Sequence, residues 1–327
     1  MRIHLISKEE VKLAVSMDQA IETVSGAFAQ LSRGNVSVPI RTQLSVTDYD
    51  GLALFMPGYL KQTNELGVKM VSVYSNNLKL GIPTINALVT LLDAQTGVPT
   101  AVIEGTYLTA LRTGAASGVA TDLLARTNSK SVAILGAGVQ ARTQLLAVCA
   151  VRSIEKVSIF DNQRAAAELF GSEMAEIVNM DINVADSAAT AIANADVVCT
   201  ATTSSEPVFE HSDLMPGTHV NAIGSFTPQM QELPSVTVKE AKLIVDSREA
   251  AWAESGDLII PRSEGLISEK DVHGELGEIV NGDRLGRTTD DEITLFKSVG
   301  NAVQDVAVAG CVLAQVKEKG LGTVVEL

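Results

Sequence analysis

The spacing of apolar residues changes period along the chain, and the changes mark out its elements. Ser7 followed by Glu10 has the form of a capping box, in which a hydroxyl and a carboxylate three residues apart satisfy each other's backbone N–H. From Val11 to Leu31 apolar residues recur at helical spacing, which predicts one helix ended by Ser32-Arg33-Gly34-Asn35. From Val38 to Glu104 the runs shorten and read as strands, at residues 52–57, 66–74, 85–94 and 99–105. Asp93-Ala94-Gln95-Thr96-Gly97 forms a turn between the last two. This part of the chain predicts a mixed or antiparallel sheet.

A helical stretch over residues 107–126 follows, with the small residues Gly114, Ala115, Ala116, Ser117 and Gly118 at its centre. They permit close approach of another backbone or a ligand, and plain helix packing uses them equally well. Beyond it strands and helices alternate: strands at 132–135, 157–160 and near 182–184, 197–201, 219–224 and 243–246, with helical or loop segments between. Such alternation predicts a doubly wound parallel sheet. Residues 299–316 form one more apolar helix, expected to return to the first domain. The predicted fold class is therefore α/β. A doubly wound domain spans residues 119–299, and a smaller α+β domain is built from 1–118 and 300–327.

Residues 131–161 carry the chemistry that is easiest to read. The strand at 132–135 ends in Gly136-Ala137-Gly138-Val139-Gln140-Ala141, a helical pattern follows, and the next strand closes on Asp161. For a dinucleotide ligand each part has a task. Gly136 allows the tight turn, Gly138 lets the backbone approach a pyrophosphate, and Ala141 keeps the helix close to the sheet. The free N–H groups and dipole of the helix start favour phosphate, and Asp161 can accept from ribose hydroxyls. A turn between a buried strand and a buried helix would also use such glycines, but the strand, helix and terminal acid together favour dinucleotide binding. The end of the strand after the crossover is expected to face the same crevice, where Thr202, Thr203 and Ser204 could line it.

A chain of 327 residues suggests two domains, and 46% hydrophobic residues can build both cores. The formal charge is -14, with no run of Lys and Arg, which argues against nucleic acid or an anionic membrane surface as partner. Cys149, Cys199 and Cys311 lie far apart in apolar stretches and read as reduced core residues, with no metal or disulfide spacing. Charges interrupt the N-terminal segment where a signal peptide would be apolar, and no apolar run is long enough to span a bilayer, so a cytoplasmic location is expected.

Three cations stand out in the first domain. Strand alternation puts Lys69 beside Gly67, Val71 and Val73 on one apolar face, where a charge is costly without an anion. Arg112 lies in an otherwise uncharged helix, and Arg41 follows Val38-Pro39-Ile40 near a strand start. Together they suggest a pocket for a small carboxylate, with arginine supplying planar, paired contacts. Taken singly, each reads more readily as a solvated or snorkelling cation, since exposed Lys and Arg are the rule.

Several strings resemble the ornithine cyclodeaminase and mu-crystallin family, in order and over nearly the whole chain. They are Pro39-Ile40-Arg41, Gly67-Val68-Lys69, Gly81-Ile82-Pro83-Thr84, Leu108-Thr109-Ala110-Leu111-Arg112-Thr113-Gly114-Ala115, the glycine loop at Gly136, and Pro216-Gly217-Thr218-His219-Val220-Asn221-Ala222-Ile223-Gly224. The resemblance implies a homodimer built through the N-terminal domain and a Rossmann domain carrying NAD(H) or NADP(H). It implies that Arg41, Lys69 and Arg112 hold a substrate carboxylate beside the nicotinamide. Cofactor contacts are then expected at Thr84, Arg112, Thr113, Gly136, Gly138, Val139, Gln140 and Asp161, and further on at Thr202, Asn221, Ala222, Gly224 and Ser298.

One departure separates branches of that family. Cyclodeaminases carry a catalytic aspartate shortly after the Asn-Ala-Ile-Gly segment, and here Gly224-Ser225-Phe226-Thr227-Pro228 places Phe226 there. A phenyl ring takes up no proton. The segment resembles the branch that reduces cyclic imino acids such as delta-1-pyrroline-2-carboxylate to L-proline, where orientation and a carboxylate clamp suffice and Lys69 can serve the imine nitrogen. A lyase (ornithine cyclodeaminase or cis-3-hydroxyproline dehydratase), an alanine dehydrogenase and a non-catalytic NAD(P)H-binding protein are the alternatives. Asp161 favours NAD(H) over a 2′-phosphate, while Arg164 nearby keeps NADPH open.

Overall fold

The structure, a computed structural model, describes residues 1–327 apart from the side chain of Leu78. The chain divides into two compact units, Met1–Arg112 with Asn301–Leu327, and Thr113–Gly300. In order the first unit runs β1 (Arg2–Ile6), α1 (Lys8–Ala14), α2 (Met17–Ser32), β2 (Val36–Ser37), β3 (Thr42–Val46), β4 (Gly51–Leu60), β5 (Glu65–Tyr74), β6 (Ile85–Asp93) and β7 (Pro99–Glu104). Helix α3 (Gly105–Leu124) then leads into the second unit. That unit starts with β8 (Ser131–Leu135), α4 (Val139–Val151), β9 (Lys156–Phe160), α5 (Arg164–Val178), β10 (Ile182–Val184), α6 (Ala188–Ile192) and β11 (Val197–Thr200). It continues through β12 (His219–Ala222), α7 (Ser235–Glu240), β13 (Lys242–Val245), α8 (Arg248–Glu254), α9 (Gly256–Ser263), β14 (Val272–Glu275), α10 (Leu276–Val280) and β15 (Thr294–Lys297). Helix α11 (Ala302–Lys319) and β16 (Thr323–Glu326) rejoin the first unit.

The single helix expected over residues 11–31 is two. Helix α1 stops at Ala14, and Ser16 caps α2 through a second capping box: Ser16 N donates to Gln19 Oε1 at 3.0 Å and Gln19 N to Ser16 Oγ at 3.3 Å. The apolar spacing runs through this break because Val15 is buried at the corner, on the same side as Val11 and Ala20.

The first sheet is mixed, with strand order β16-β1-β7-β6-β5-β4-β2 and β3 paired to β4. Only β1 and β7 pair in parallel. Alternation across β4, β5 and β6 creates two opposite rows. Met56, Lys69 and Val89 lie side by side on the buried face, and Phe55, Met70 and Leu88 on the other. Helix α11 packs over the buried face of β4, β5 and β6 and against α1 and α2.

The second sheet is parallel throughout, in the order β10-β9-β8-β11-β12-β15-β13-β14. Chain direction reverses its march between β8 and β11, so the carboxyl ends of these two strands open a crevice, the usual ligand position in such sheets. Sequence reading did not find β15, which enters between β12 and β13 as four fully enclosed residues. Its ends, Thr294 and Lys297, are polar residues that read as loop until their partners are known.

Candidate active site

In the first unit Lys69, on the inward face of β5, is 2% exposed, and Arg112, on α3, is 6% exposed. Between them Asp305, in the first turn of α11, is fully buried. Lys69 Nζ lies 2.8 Å from Asp305 Oδ2, and Arg112 Nε donates to Asp305 Oδ1 at 2.8 Å. One carboxylate thus serves two cations, which leaves an excess positive charge suited to a second, ligand-borne carboxylate. Burial drives the Lys69 ammonium down from its ordinary value to about 7; Asp305 opposes this, and the Arg112 and Arg41 charges add to it. Burial alone would raise the Asp305 carboxyl, but Arg112 and Lys69 outweigh it and hold the group below its ordinary value.

Gln304, the neighbour of Asp305, completes this cluster. Arg112 Nη1 donates to Gln304 Oε1 at 2.6 Å. A guanidinium has donors only, so the amide oxygen must face it and the amide NH2 must point elsewhere. That Nε2 is buried and finds no acceptor in the protein. An unmade buried hydrogen bond costs about 1–3 kcal/mol, and an acceptor on a bound ligand removes the cost. Sequence reading missed both Gln304 and Asp305. The available signal was a Gln-Asp pair inside the apolar run Val303 to Val308.

In the second unit Gly136 has φ of 95°, a conformation that side chains resist, and a Cβ there would lie 2.7 Å from the Ala201 carbonyl oxygen. Gly138 caps α4 with ordinary φ, and a Cβ there would meet nothing within 4 Å. Protein packing therefore requires the first glycine, whereas the second keeps open the space in front of the helix start. Asp161 Oδ2 accepts from Ala137 N, and its Oδ1 from Gln163 N, both at 2.8 Å. Arg142 Nη1 donates to the carbonyl oxygens of Ala137 and Gly138 at 2.9 and 3.0 Å, so a guanidinium braces the glycine loop from α4. The residues present fit a dinucleotide: an open helix start, a carboxylate fixed at the end of β9, and a braced loop between them.

The remaining expected residues fall into three positions. Val139 is 60% exposed and Gln140 half-buried in the first turn of α4, while Thr202 and Gly224 start the loops that leave β11 and β12 at the same carboxyl edge. Asn221 and Ala222 are enclosed in β12; Asn221 Nδ2 donates to Thr121 Oγ1 at 2.9 Å, which turns the amide toward α3. Ser298, just past β15, donates through Oγ to Asp246 Oδ2 at 2.8 Å, and the Thr113 carbonyl accepts from Gln144 Nε2 at 3.4 Å. Thr84 precedes β6, its carbonyl accepting from Tyr74 N. It stands five positions along the strand from Val89, which pairs with Lys69, about 16 Å at strand rise.

A glycine-loop crevice in a doubly wound sheet marks a nicotinamide-dependent enzyme, and the buried Lys69–Asp305–Arg112 cluster has the charge to suit a small carboxylate. The chain belongs to the ornithine cyclodeaminase/mu-crystallin family, whose sequence profile matches residues 2–320. It is 44% identical to a delta(1)-pyrroline-2-carboxylate reductase of Bacillus cereus over 98% of this chain and 99% of that protein. The solved Thermococcus litoralis delta(1)-pyrroline-2-carboxylate reductase, in complex with NADH and L-proline, superposes with a TM-score of 0.95 at 46% identity, covering 98% of this chain and 99% of that one. An archaeal alanine dehydrogenase dimer with bound NAD gives 0.93 at 37% identity, covering both chains completely.

Proposed function

We propose that this protein is an NADH-dependent reductase of a small cyclic imino acid, converting delta-1-pyrroline-2-carboxylate to L-proline. The observation that carries this reading is the Lys69–Asp305–Arg112 cluster, whose excess positive charge accepts one substrate carboxylate. Reduced nicotinamide supplies a hydride to C2. A proton to nitrogen completes the amine, and Lys69, with its affinity for protons lowered to about 7, is matched to deliver it near neutral pH. Arg112 and Arg41 orient the carboxylate, and Gln304 Nε2 offers it a further donor. The loop from Gly224 to Met230 carries Phe226 and no acid, so it contributes no proton transfer of the cyclodeaminase type.

For the cofactor, Arg164 donates to Glu168 at 3.0 Å and to Asp186 at 2.7 Å. With Arg164 so paired, nothing among the described residues beside Asp161 offsets the charge of a 2′-phosphate as the chain stands, which supports NADH over NADPH. Two copies are proposed to pair through the outward row of Phe55, Met70 and Leu88, which are 38%, 37% and 44% exposed on adjacent strands. No helix among the described residues is long and apolar enough to cross a membrane. A cytoplasmic location, where reduced nicotinamide is regenerated, is part of this proposal.

The test is steady-state oxidation of NADH and NADPH with delta-1-pyrroline-2-carboxylate, run beside NAD-dependent turnover of ornithine and cis-3-hydroxyproline. Fast imine reduction with NADH and inert ornithine is expected. Ornithine turnover with ammonia release would overturn the assignment.

A further inference from the structure

Glu232 lies outside every element, is fully buried, and receives more hydrogen bonds than its own segment needs. Its Oε1 accepts from Thr202 N at 2.6 Å and Thr202 Oγ1 at 2.9 Å. Its Oε2 accepts from Thr200 Oγ1 at 3.0 Å, Gly224 N at 2.7 Å and Ser225 N at 3.0 Å. Five donors, four from two separate loops and one from the end of β11, thus converge on one carboxylate, three of them backbone N–H groups that cannot turn away. The two loops leave β11 and β12 at the carboxyl edge of the sheet, and Thr202 also packs on the glycine loop, where a Cβ at Gly136 would lie 3.0 Å from Thr202 Cγ2.

Glu232 is itself held from behind. Asp257 Oδ1 accepts from Glu232 N at 2.7 Å and Leu233 N at 3.0 Å, and Asp257 Oδ2 takes Lys297 Nζ at 2.8 Å. Lys297 ends β15 and is fully buried, so the network spans β11, β12 and β15. An apolar contact would stabilise these loops without fixing their height above the strands. A carboxylate with both oxygens shared between loops fixes it to hydrogen-bond tolerance. The loop beginning at Gly224 is the one that carries Phe226, tied back by Ser225 Oγ donating to the Met230 carbonyl at 2.8 Å.

We infer that Glu232 is a positioning residue for hydride transfer: through Thr202, Gly224 and Ser225 it sets the two loops on which the nicotinamide end of the cofactor rests. The inference depends on the dinucleotide reading of the crevice given above. Glu232 touches neither reacting group. It acts through the loops, as the supporting shell of a site does when small displacements of the reacting atoms cost rate.

The test is Glu232→Gln, which conserves volume but turns an NH2 toward either Thr202 or the Gly224 and Ser225 N–H groups. With the variant folded by circular dichroism, kcat should fall about 10- to 100-fold, the effect of a displacement near 1 Å. KM for the imine, set by the Lys69 cluster, should change less than about twofold, as when only transition-state contacts are lost. ADP-ribose, which lacks the nicotinamide, should bind as tightly as to the wild type. Thr200→Val removes a single hydroxyl donor and keeps the fold. It should lower kcat in the same direction, and its effect should vanish in the Glu232→Gln background, as expected for residues acting as one unit. Unchanged kcat in both variants, or a lowered melting temperature as the only effect, overturns the inference. Failure of the wild type to bind NADH overturns instead the reading of the crevice.

Discussion

Replacing Asp305 by Asn tests the Lys69 cluster most directly, because the change keeps shape and removes one charge. At 2.8 Å and an effective dielectric near 20, a carboxylate attracts the Lys69 ammonium by about 6 kcal/mol, equivalent to about 4 pH units of proton affinity. The asparagine dipole and local relaxation recover part of this, so Lys69 should lose its proton at least about 2 pH units lower in the variant. The assay is the pH profile of kcat/KM for imine reduction. With Lys69 as the proposed proton donor, its protonated form is the active one, and the wild-type rate should fall as pH rises through about 7. In Asp305→Asn the fall should occur well below that. Stability follows the same titration. Between about 7 and 10.5 the unfolded lysine binds a proton that the folded one does not, so wild-type stability rises with pH over that window. Removing Asp305 lowers the start of the window. It also costs about 3–5 kcal/mol at low pH, where two buried cations lose their partner. A folded Asp305→Asn enzyme with the wild-type profile would refute the assignment of Lys69 as proton donor and of Asp305 as the group that governs it.

Other outcomes follow from single positions. Gly138→Ala should leave the melting temperature unchanged while raising KM for NADH about tenfold or more, since its methyl enters ligand space. Gly136→Ala should instead destabilise by more than about 1 kcal/mol, the cost of alanine at positive φ; calorimetry beside NADH titration separates the two. Gln304→Leu removes both the amide NH2 proposed to meet the substrate and the oxygen that accepts from Arg112 Nη1, and should raise KM for the imine by at least about tenfold, the worth of one hydrogen bond to a charged group. Met70→Glu puts a charge at the centre of the Phe55–Met70–Leu88 row and should convert the proposed dimer to monomer in sedimentation, whereas a dimer that persists in the variant would place the interface elsewhere.

The glycine loop was readable because its constraints are local. A turn glycine, a helix start and an acid at the next strand end all lie within residues 131–161. Lys69 was readable because strand alternation forces it inward whatever the rest of the chain does. Its partner was not, because Asp305 stands in a different element and meets Lys69 only when α11 packs across β4, β5 and β6. Glu232 was invisible for the same reason, since its donors belong to loops whose neighbours are set by sheet order. The position of β15 between β12 and β13 is likewise a tertiary choice that four residues cannot announce. The break at Ser16 was in reach, for the Ser16–Gln19 pair repeats the signal of Ser7 and Glu10, but continuous apolar spacing masked it.

Asp305 lies in residues 301–327, which join the first unit only after the whole second unit has been made. On the ribosome, Lys69 and Arg112 emerge early and wait through the synthesis of 113–300 for the carboxylate that pairs with both. During that interval a closed first unit would bury the Arg112 guanidinium without its carboxylate, at a cost of about 3–5 kcal/mol, whereas the second, continuous in the chain, can fold at once. Competence of the charged cluster is thereby tied to completion of the polypeptide, and a chain released before α11 is made would carry a folded second unit and an open first one.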